Sequence, residues 1–399
     1  MLNQAYTSKN LLRQLRKTEP QKHKMGRSKD DYLLHIDSRL ATIDPATYSF
    51  VSLKKKKVNE RKVFIVSDII ESLLLRKCND NLKRIFSIKS NDRQDIVNKT
   101  YIMLSEPVPF YVYKLDIKSF YEQVNKNYLL KKINDNSIVS YHTKRIITNL
   151  LQSNHLKDEI GLPRGIGISA TLSDLYLESF DKSINHYPSV YYSSRYVDDV
   201  IIFSFERIPD YLDFFQKMLP APLELNKSKC QEFVVDNGKP CKHNLNFLGY
   251  NYSFENKLIE KKRIVNIKIS QNKINKIKKR IILSLKDFSK NGNKELLVNR
   301  IRYLTSNFPI EKPNSDNSIL YSGIYYTFMH LNDHSQLRDL DNFKNFIIHA
   351  SKGNLARNLS KWPASDYQSI KKYSFHLGHT KKIKINFTQS EFKKITKAW

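Results

Sequence analysis

The chain has 399 residues, and its 68 lysine and arginine side chains against 39 aspartates and glutamates give it a formal net charge of +29. Hydrophobic residues make up 40% and aromatic residues 12% of the chain, which is enough to bury a core and excludes a wholly disordered protein. A charge of this size favours a polyanionic partner, unless lysine is simply abundant along the whole chain. The distribution of the charge therefore decides between these two explanations.

The cysteine content and the hydropathy of the chain exclude two further classes of protein. Cys78, Cys230 and Cys241 are odd in number and far apart, and no CxxC pair occurs, so a disulfide scaffold is excluded. The first residues lack the apolar segment of a signal peptide, and no apolar run reaches the roughly 20 residues of a membrane span. We therefore expect a cytoplasmic protein that has no membrane partner.

The first part of the chain is basic. Residues 1–66 include the run Lys54–Lys57 and form a basic N-terminal extension, which is either a solvated arm or a contact for nucleic acid. Residues 67–109 begin with a predicted amphipathic helix, in which Ile70, Leu73 and Leu74 share one face.

The centre of the chain, residues 110–255, is the richest in strand signals. The segment FYVYKLDI at 110–117 is aromatic and β-branched, as a buried strand should be. The segment at 190–205 predicts two strands that fold back at Val197–Val200. Apolar side chains at helical spacing predict a helix over residues 171–186.

Charge is clustered after this central segment. Residues 256–300 contain 14 lysines and arginines but only 3 acidic residues, which weakens the explanation by general lysine abundance. Apolar residues from Ile274 to Phe288, at spacings of three and four, predict a helix whose remaining surface is cationic. We expect a helical unit over residues 256–311, a loop at 308–318 and an aromatic helical region at 321–333.

The strongest chemical signal is a group of carboxylates. Asp198 and Asp199 are adjacent at the predicted hairpin tip, where their repulsion is costly unless a divalent cation offsets it. Asp116 stands at the end of the 110–117 strand. Each signal alone has a simpler interpretation, a turn for the pair and a helix N-cap for Asp116. Two strands that bring carboxylates to one edge would instead suit a two-metal site for phosphoryl transfer.

The order of five motifs resembles the reverse transcriptase family from about residue 67 to residue 300. The matching segments are Lys114–Tyr121 (motif A), Gly161–Gly165 with Ser169 (motif B), Tyr196–Asp199 (motif C), Leu225–Lys229 (motif D) and Phe247–Tyr250 (motif E). Motif B departs from the usual pattern, because Arg164 stands where many relatives have glutamine and Ala170 replaces a proline.

The resemblance implies a set of roles for these residues. Asp116, Asp198 and Asp199, with Ile117, would hold two Mg²⁺ ions, or Mn²⁺. Tyr121 would be the steric gate against a 2′-hydroxyl group, and Lys229 would act on the leaving pyrophosphate. The residues implied in nucleotide binding are Tyr121, Arg164, Gly165, Ile117, Lys89 and Arg93. Those implied in primer and template binding are Phe247, Leu248, Gly249, Tyr250, Lys276, Lys279 and Arg280.

The implied fold is an α+β right-hand polymerase, whose palm is an antiparallel sheet with helices on one face. Fingers would lie at 67–109, the palm with fingers insertions at 110–255, the helical thumb at 256–311 and a C-terminal helical and basic extension at 312–399. The implied activity is RNA-directed DNA polymerisation from deoxynucleoside triphosphates, on an RNA template and with a DNA product.

As a short stand-alone chain it resembles the bacterial retron and abortive-infection or defence-associated enzymes. Motif A and residues 321–333 look most like the defence-associated branch, which implies a role in antiviral defence. Three alternatives stay open at this point. The same site could perform untemplated or protein-primed synthesis, the protein could be an RNA-binding, maturase-like relative, and a partner protein or a homo-oligomer could be required. In a maturase-like relative with a vestigial polymerase site, at least one of Asp116, Asp198 and Asp199 would be lost, yet all three are present.

Overall fold

The computed structural model describes residues 2–58, 61–89, 92–236, 241–310, 320–348 and 364–399, the side chains of residues 364–367 excepted. These residues form two compact units. The first unit contains the chain up to residue 89 together with residues 110–234. The second contains residues 92–109 and the described residues from 235 onward. Among the described residues, no helix has both the length and the apolar composition that crossing a membrane requires.

The helices and strands alternate along the chain. Those before residue 110 are α1 (Ser8–Leu12), α2 (Glu19–Lys22), α3 (Lys29–Leu40), β1 (Leu53–Val58), β2 (Arg61–Val66), α4 (Ile69–Ile85) and α5 (Arg93–Leu104). The central ones are β3 (Phe110–Asp116), α6 (Phe120–Gln123), α7 (Lys126–Asn134), α8 (Tyr141–Leu151), α9 (Ile168–Tyr176), α10 (Glu178–Asn185), β4 (Val190–Tyr196), β5 (Asp199–Ser204), α11 (Tyr211–Met218) and β6 (Gln231–Val235). The remaining ones are β7 (Lys242–Phe247), β8 (Tyr250–Ile259), β9 (Lys262–Ile269), α12 (Gln271–Asn291), α13 (Lys294–Thr305), β10 (Asn307–Ile310), β11 (Leu320–Gly323), α14 (Ile324–Thr327), α15 (Ser335–Ile348), α16 (Ala364–Lys371), α17 (Phe375–Thr380) and α18 (Gln389–Thr396).

A four-stranded sheet in the order β4-β5-β3-β6 forms the centre of the first unit. Strand β5 pairs antiparallel with both β3 and β4. The predicted strand at 110–117 and the predicted hairpin at 190–205 are therefore confirmed. Leu115, Val200 and Ile202 are almost completely buried, which explains why these strands read as nearly continuous apolar runs. The helix predicted over 171–186 is two helices, α9 and α10, which meet at Leu177.

The basic N-terminal extension is a folded part of the first unit rather than a solvated arm. Leu11 and Ile36 are fully buried in the same apolar cluster as the helices around the sheet. The hydroxyl groups of Tyr6 and Thr143 lie 3.0 Å apart, and the Lys77 ammonium donates to the backbone oxygen of Asn3. The run Lys54–Lys57 lies on the exposed hairpin of β1 and β2, where local alternation gave little strand signal.

The second unit contains a three-stranded antiparallel sheet, β7-β8-β9. The segment predicted as wholly helical, 256–311, therefore begins with the end of β8 and all of β9. Val265, Ile267 and Ile269 are buried at every second position, which is the period of a strand. The part of the predicted palm from residue 242 to 255 also lies in this sheet. The helix predicted around Ile274–Phe288 is confirmed as α12.

The aromatic helical region predicted at 321–333 was largely wrong. It consists of the end of β11, the four-residue helix α14 and a turn. Gly323 has φ +125°, and a Cβ atom there would lie 2.2 Å from the backbone oxygen of Ser306. Because φ is positive and two backbones approach closely here, no helix continues through Gly323. Most of the loop predicted at 308–318 falls outside the described residues, and its first residues belong to β10.

Candidate active site

The three predicted carboxylates come together at one edge of the sheet in the first unit. In the register of β3 and β5, Asp116 is directly opposite Asp199. The N–H group of Ile117 donates to the backbone oxygen of Asp198 at 3.1 Å, which ties the end of β3 to the hairpin tip. The site thus depends on the pairing of two strands that are distant in sequence.

The tip of the hairpin holds a residue in an unfavourable backbone conformation. Val197 has φ +61°, a left-handed value that is a genuine outlier for a β-branched side chain. Such a conformation costs about 1–3 kcal/mol and persists only where the surrounding structure determines it. Here the paired strands β4 and β5 on both sides of the tip determine it.

Neighbouring cations do not fully offset the charges of the three carboxylates. Burial, and next the neighbouring charge of Asp198, raise the pKa of Asp199 to about 6. Burial and then the charge of Asp116 likewise raise the pKa of Asp198. Lys229, at the predicted motif D position, has its Nζ atom 3.4 Å from both side-chain oxygens of Asp116. The charges of Lys114 on Asp199 and of Arg164 on Asp198 also lower these pKa values, but they do not cancel the effects of burial and repulsion.

The chemistry of these side chains fits a hard divalent cation. Within the described residues, no group of three or more histidine, cysteine, aspartate or glutamate side chains is arranged as a ready-made metal site. The raised pKa values of Asp198 and Asp199 nevertheless mark oxygen donors whose mutual repulsion a cation would relieve. Asp116, Asp198 and Asp199 are therefore the residues that could hold a metal here.

Tyr121 and Arg164 lie against each other in the same unit. The guanidinium group of Arg164 lies 4.9 Å from the centre of the Tyr121 ring. It also donates two hydrogen bonds to the carboxylate of Glu122, at 2.7 and 3.1 Å. The Tyr121 hydroxyl is in hydrogen-bonding contact with Ser173, and burial raises the pKa of Tyr121. Arg164 therefore already has an acidic partner, which the motif pattern did not reveal.

The glycines of motif B approach protein backbone in this structure. Gly161 has φ +77°, and a Cβ atom there would lie 2.1 Å from the backbone oxygen of Tyr121. Gly165 has φ +93°, and a Cβ atom there would lie 2.5 Å from the backbone oxygen of Phe64. The N–H group of Phe64 also donates to the Arg164 oxygen at 2.7 Å. These glycines let the motif B loop pack between motif A and the β1–β2 hairpin.

The β1–β2 hairpin is the feature of this site that the sequence analysis missed. Burial alone would raise the pKa of Glu122, but the hydrogen bonds from Arg164 and, more weakly, the charge of Arg61 lower it. Lys55 and Lys62 both pair with Glu159, at 2.7 and 2.9 Å. The Lys54–Lys57 run was the available signal, but its pairing with β2 was not predicted.

The two basic residues predicted in the fingers have different surroundings. Lys89 is exposed and lines a pocket of about 460 Å³ together with Tyr196 and Val197 of the hairpin tip. Arg93 instead begins α5 in the second unit, where it donates to the backbone oxygens of Leu248 and Thr327 at 3.1 and 3.0 Å. These contacts engage the Arg93 guanidinium group with the motif E turn and with Thr327, and its contact with a triphosphate stays a prediction.

Motif E is the tight turn between β7 and β8. Phe247 and Tyr250 are paired across this turn and are buried. Leu248 and Gly249 form the turn with φ +47° and +82°. The guanidinium group of Arg93 lies 5.2 Å from the centre of the Tyr250 ring. The two aromatic side chains and the backbone oxygens of Leu248 and Gly249, which accept from Arg93 and Ser270, are therefore engaged within the protein.

Helix α12 presents a cationic face to a pocket of about 270 Å³. Lys273, Lys276 and Arg280, at helical spacing, line this pocket with the aromatic rings of Tyr303 and Phe308. None of the described residues that line it is acidic. The structure thus brings Lys276 and Arg280 together, whereas Lys279 is exposed outside this pocket.

The comparison with protein-family models agrees with the motif pattern. The family model described as reverse transcriptase (RNA-dependent DNA polymerase) matches residues 54–252. A comparison with curated protein sequences found no match.

The solved structures that match this chain include telomerases. The apo enzyme from Candida tropicalis has 13% identity and a TM-score of 0.38, over 91% of this chain and 64% of that one. The same telomerase in complex with a TWJ fragment of telomeric RNA has 13% identity and a TM-score of 0.36, over 92% and 64%. The Candida albicans complex with the TWJ fragment has 11% identity and a TM-score of 0.29, over 92% and 55%. The chain thus spans less than two thirds of the length of these telomerases.

The segment matched by the family model contains the β1–β2 hairpin, the three carboxylates at the sheet edge and the turn of motif E. Through residues 54–252, the chain belongs to the reverse transcriptase family.

Proposed function

We propose that the chain is an RNA-directed DNA polymerase that uses two Mg²⁺ ions at Asp116, Asp198 and Asp199. The observation that carries this proposal is the register of β3 and β5, which brings these carboxylates to one sheet edge. The family match over the same residues supports it. Divalent ions bound there would activate the attacking hydroxyl group and stabilise the leaving oxygens of the triphosphate.

Lys229 is suited to a role at the leaving group. Its ammonium group is 3.4 Å from Asp116, and 60% of its side chain is exposed. It can therefore turn away from the Asp116 carboxylate toward a pyrophosphate without leaving a buried position. An ammonium group in this location would offset the charge that develops on the leaving oxygens or would donate a proton to them.

Arg164 and Tyr121 are the residues we assign to the incoming deoxynucleoside triphosphate. Contacts with Glu122 and with the ring of Tyr121 fix the guanidinium group of Arg164. The group is therefore oriented before a nucleotide binds. Arg61, on the hairpin joined to the Arg164 backbone through Phe64, adds a second guanidinium group. Planar guanidinium groups suit the bidentate recognition of phosphate.

We assign the three α12 cations of the pocket, Lys273, Lys276 and Arg280, and the motif E turn to the template–primer. A pocket that joins three cationic side chains to aromatic rings has the features of a site for a nucleic-acid backbone. The RNA template and the DNA product would be the strands that contact it. The sequence of motif A supports a role in bacterial antiviral defence, as in the defence-associated enzymes that it resembles.

The central test is the loss of a single charge. Asp198→Asn, or Asp116→Asn, should abolish incorporation of deoxynucleotides in a primer-extension assay on an RNA template. Binding of the template–primer should remain, because the carboxylates hold the ions and not the strands. Asp135→Asn makes the same change at an exposed position after α7 and should retain wild-type synthesis. Normal synthesis by the Asp198 variant would contradict the proposal.

The ionised carboxylate of Asp199 should lower the free energy of unfolding of the metal-free protein. Its pKa of about 6 in the folded protein lies above the ordinary 3.8, so the ionised carboxylate destabilises the fold above pH 6 and does not below pH 4. Asp199→Asn should therefore raise the free energy of unfolding of the metal-free protein by about 2–3 kcal/mol above pH 6. That gain should shrink as the pH falls through 6 and vanish near pH 4.

Thermal unfolding with and without a divalent ion completes this measurement. Because the ion relieves the same repulsion, Mg²⁺ should raise the melting temperature of the wild type more than that of Asp199→Asn. Equal stability of the two metal-free proteins at pH 8 would show that Asp199 carries no electrostatic cost.

Tyr121 should discriminate between sugars. Tyr121→Ala should increase the incorporation of ATP relative to dATP, because the ring that excludes the 2′-hydroxyl group is removed. Tyr121→Phe keeps the ring and loses only the contact with Ser173, so it should retain the wild-type ratio. If the alanine variant is folded and its ratio of kcat/KM values for the two nucleotides is unchanged, Tyr121 is not the gate.

The pocket on α12 should contribute contacts that depend on salt. Lys276→Ala combined with Arg280→Ala should reduce the slope of log K against log salt for a duplex by about 1.8, at about 0.9 for each lost phosphate contact. Lys279→Ala combined with Lys286→Ala removes the same charge from exposed positions of this helix outside the pocket. The control pair should leave the slope unchanged, and equal slopes for both double variants would refute the assignment of the pocket.

A further inference from the structure

Arg195 is a buried cation directly before motif C. It lies in β4, and only 8% of its side chain is exposed. Its Nε atom donates to Asp181 at 2.9 Å, and one terminal nitrogen donates to the same carboxylate at 2.7 Å. Asp181 belongs to α10, so this fork holds the guanidinium group in one plane against that helix.

The other terminal nitrogen of Arg195 faces the hairpin tip. It donates to Asp174 at 3.1 Å and to the backbone oxygen of Val197 at 3.1 Å. Val197 is the residue with φ +61° and immediately precedes Asp198. One guanidinium group therefore joins two helices to the peptide that carries the Asp198 backbone.

The network also reaches the nucleotide side of the site. Asp174 follows Ser173 on α9, and Ser173 is in contact with the Tyr121 hydroxyl. The charge of Asp174 acts on Tyr121 as well. The helix that carries motif B and the hairpin that carries motif C are thus connected through Arg195.

We propose that Arg195 is a positioning residue that fixes the Val197 peptide and thereby the location of the Asp198 carboxylate relative to Asp116. This inference rests on the proposed function, since polymerisation is one of its readouts. Arg195 itself contacts neither substrate nor metal in this proposal. Its effect passes through the backbone of the hairpin tip.

Lysine cannot replace arginine in this arrangement. A guanidinium group donates in several directions from a rigid plane, whereas an ammonium group is a point charge on a flexible stem. In Arg195→Lys the cation would still balance Asp174 and Asp181. It would not reach both carboxylates and the Val197 oxygen at once. The variant therefore retains most of the buried charge balance and loses the orientation of the tip.

The test compares Arg195→Lys with a matched substitution. Arg76 in the same unit also joins a carboxylate, that of Glu19 at 2.6 Å, to a backbone oxygen, that of Gln14 at 3.0 Å. Arg76→Lys therefore makes the same chemical change in a similar network that does not contact the β4–β5 hairpin. Melting temperature, kcat, KM for dNTP and binding of Mn²⁺ followed by electron paramagnetic resonance are measured for both variants and the wild type.

Arg195→Lys should fold, lower kcat by about 10–100-fold and weaken Mn²⁺ binding by about tenfold, with binding of template–primer unchanged. Arg76→Lys should have wild-type kcat and Mn²⁺ binding even if its melting temperature falls. A purely structural role for Arg195 would move the melting temperature alone. A folded Arg195→Lys with wild-type kcat and Mn²⁺ binding would overturn the proposal.

Asp181→Asn provides a second variant if Arg195→Lys does not fold. It keeps Arg195 and a hydrogen-bond acceptor but removes the charge that orients the guanidinium group. It should lower kcat and weaken Mn²⁺ binding in the same proportion, and wild-type values for both would also overturn the proposal. The Mn²⁺ measurement does not require synthesis. A wild-type protein that makes no DNA would therefore count against the proposed function, while the difference in Mn²⁺ binding still decides the role of Arg195.

Discussion

The antiparallel register of β3 and β5 is the constraint on which the site depends. It places Asp116 opposite Asp199 and joins the Ile117 peptide to Asp198. Because side chains alternate between the two faces of a sheet, a slip of one residue would turn Asp199 to the other face. The buried apolar side chains of both strands oppose that slip, since it would disrupt their close packing on the two faces of the sheet. The packing of the core fixes the strand register, and the register in turn fixes the positions of the carboxylates.

Charge balance is the second theme of the first unit. The chain as a whole has a large excess of positive charge, yet the sheet edge is locally acidic, and burial adds to the repulsion there. A short distance away the relation is reversed, because Arg195 is a buried cation held by two carboxylates. The repelling carboxylates at the sheet edge are suited to binding a divalent cation, whereas the hydrogen-bonded cluster around Arg195 is suited to holding a backbone in place.

Local sequence patterns predicted the parts of the site that are built from residues close together in the chain. The β4–β5 hairpin and its acidic tip followed from two apolar runs around Val197–Val200, and α12 followed from its apolar stripe. Contacts between distant segments could not be read in the same way. The partner of Arg164, the attachment of Arg93 to motif E and the backbone that Gly165 approaches all depend on folding of the whole chain. Residues 321–333 were misassigned for this reason, since Gly323 fits against Ser306, which no helical period reveals.

The separation of β3 from β5 along the chain has a consequence for biosynthesis. Helices α6 to α10 lie between the two strands, so Asp116 leaves the ribosome well before Asp199. Closing such a long loop is entropically unfavourable until the helices between the strands have packed. A nascent chain that ends before Asp199 therefore has no assembled carboxylate cluster. A metal site made of all three carboxylates can therefore form only after β5 has been synthesised.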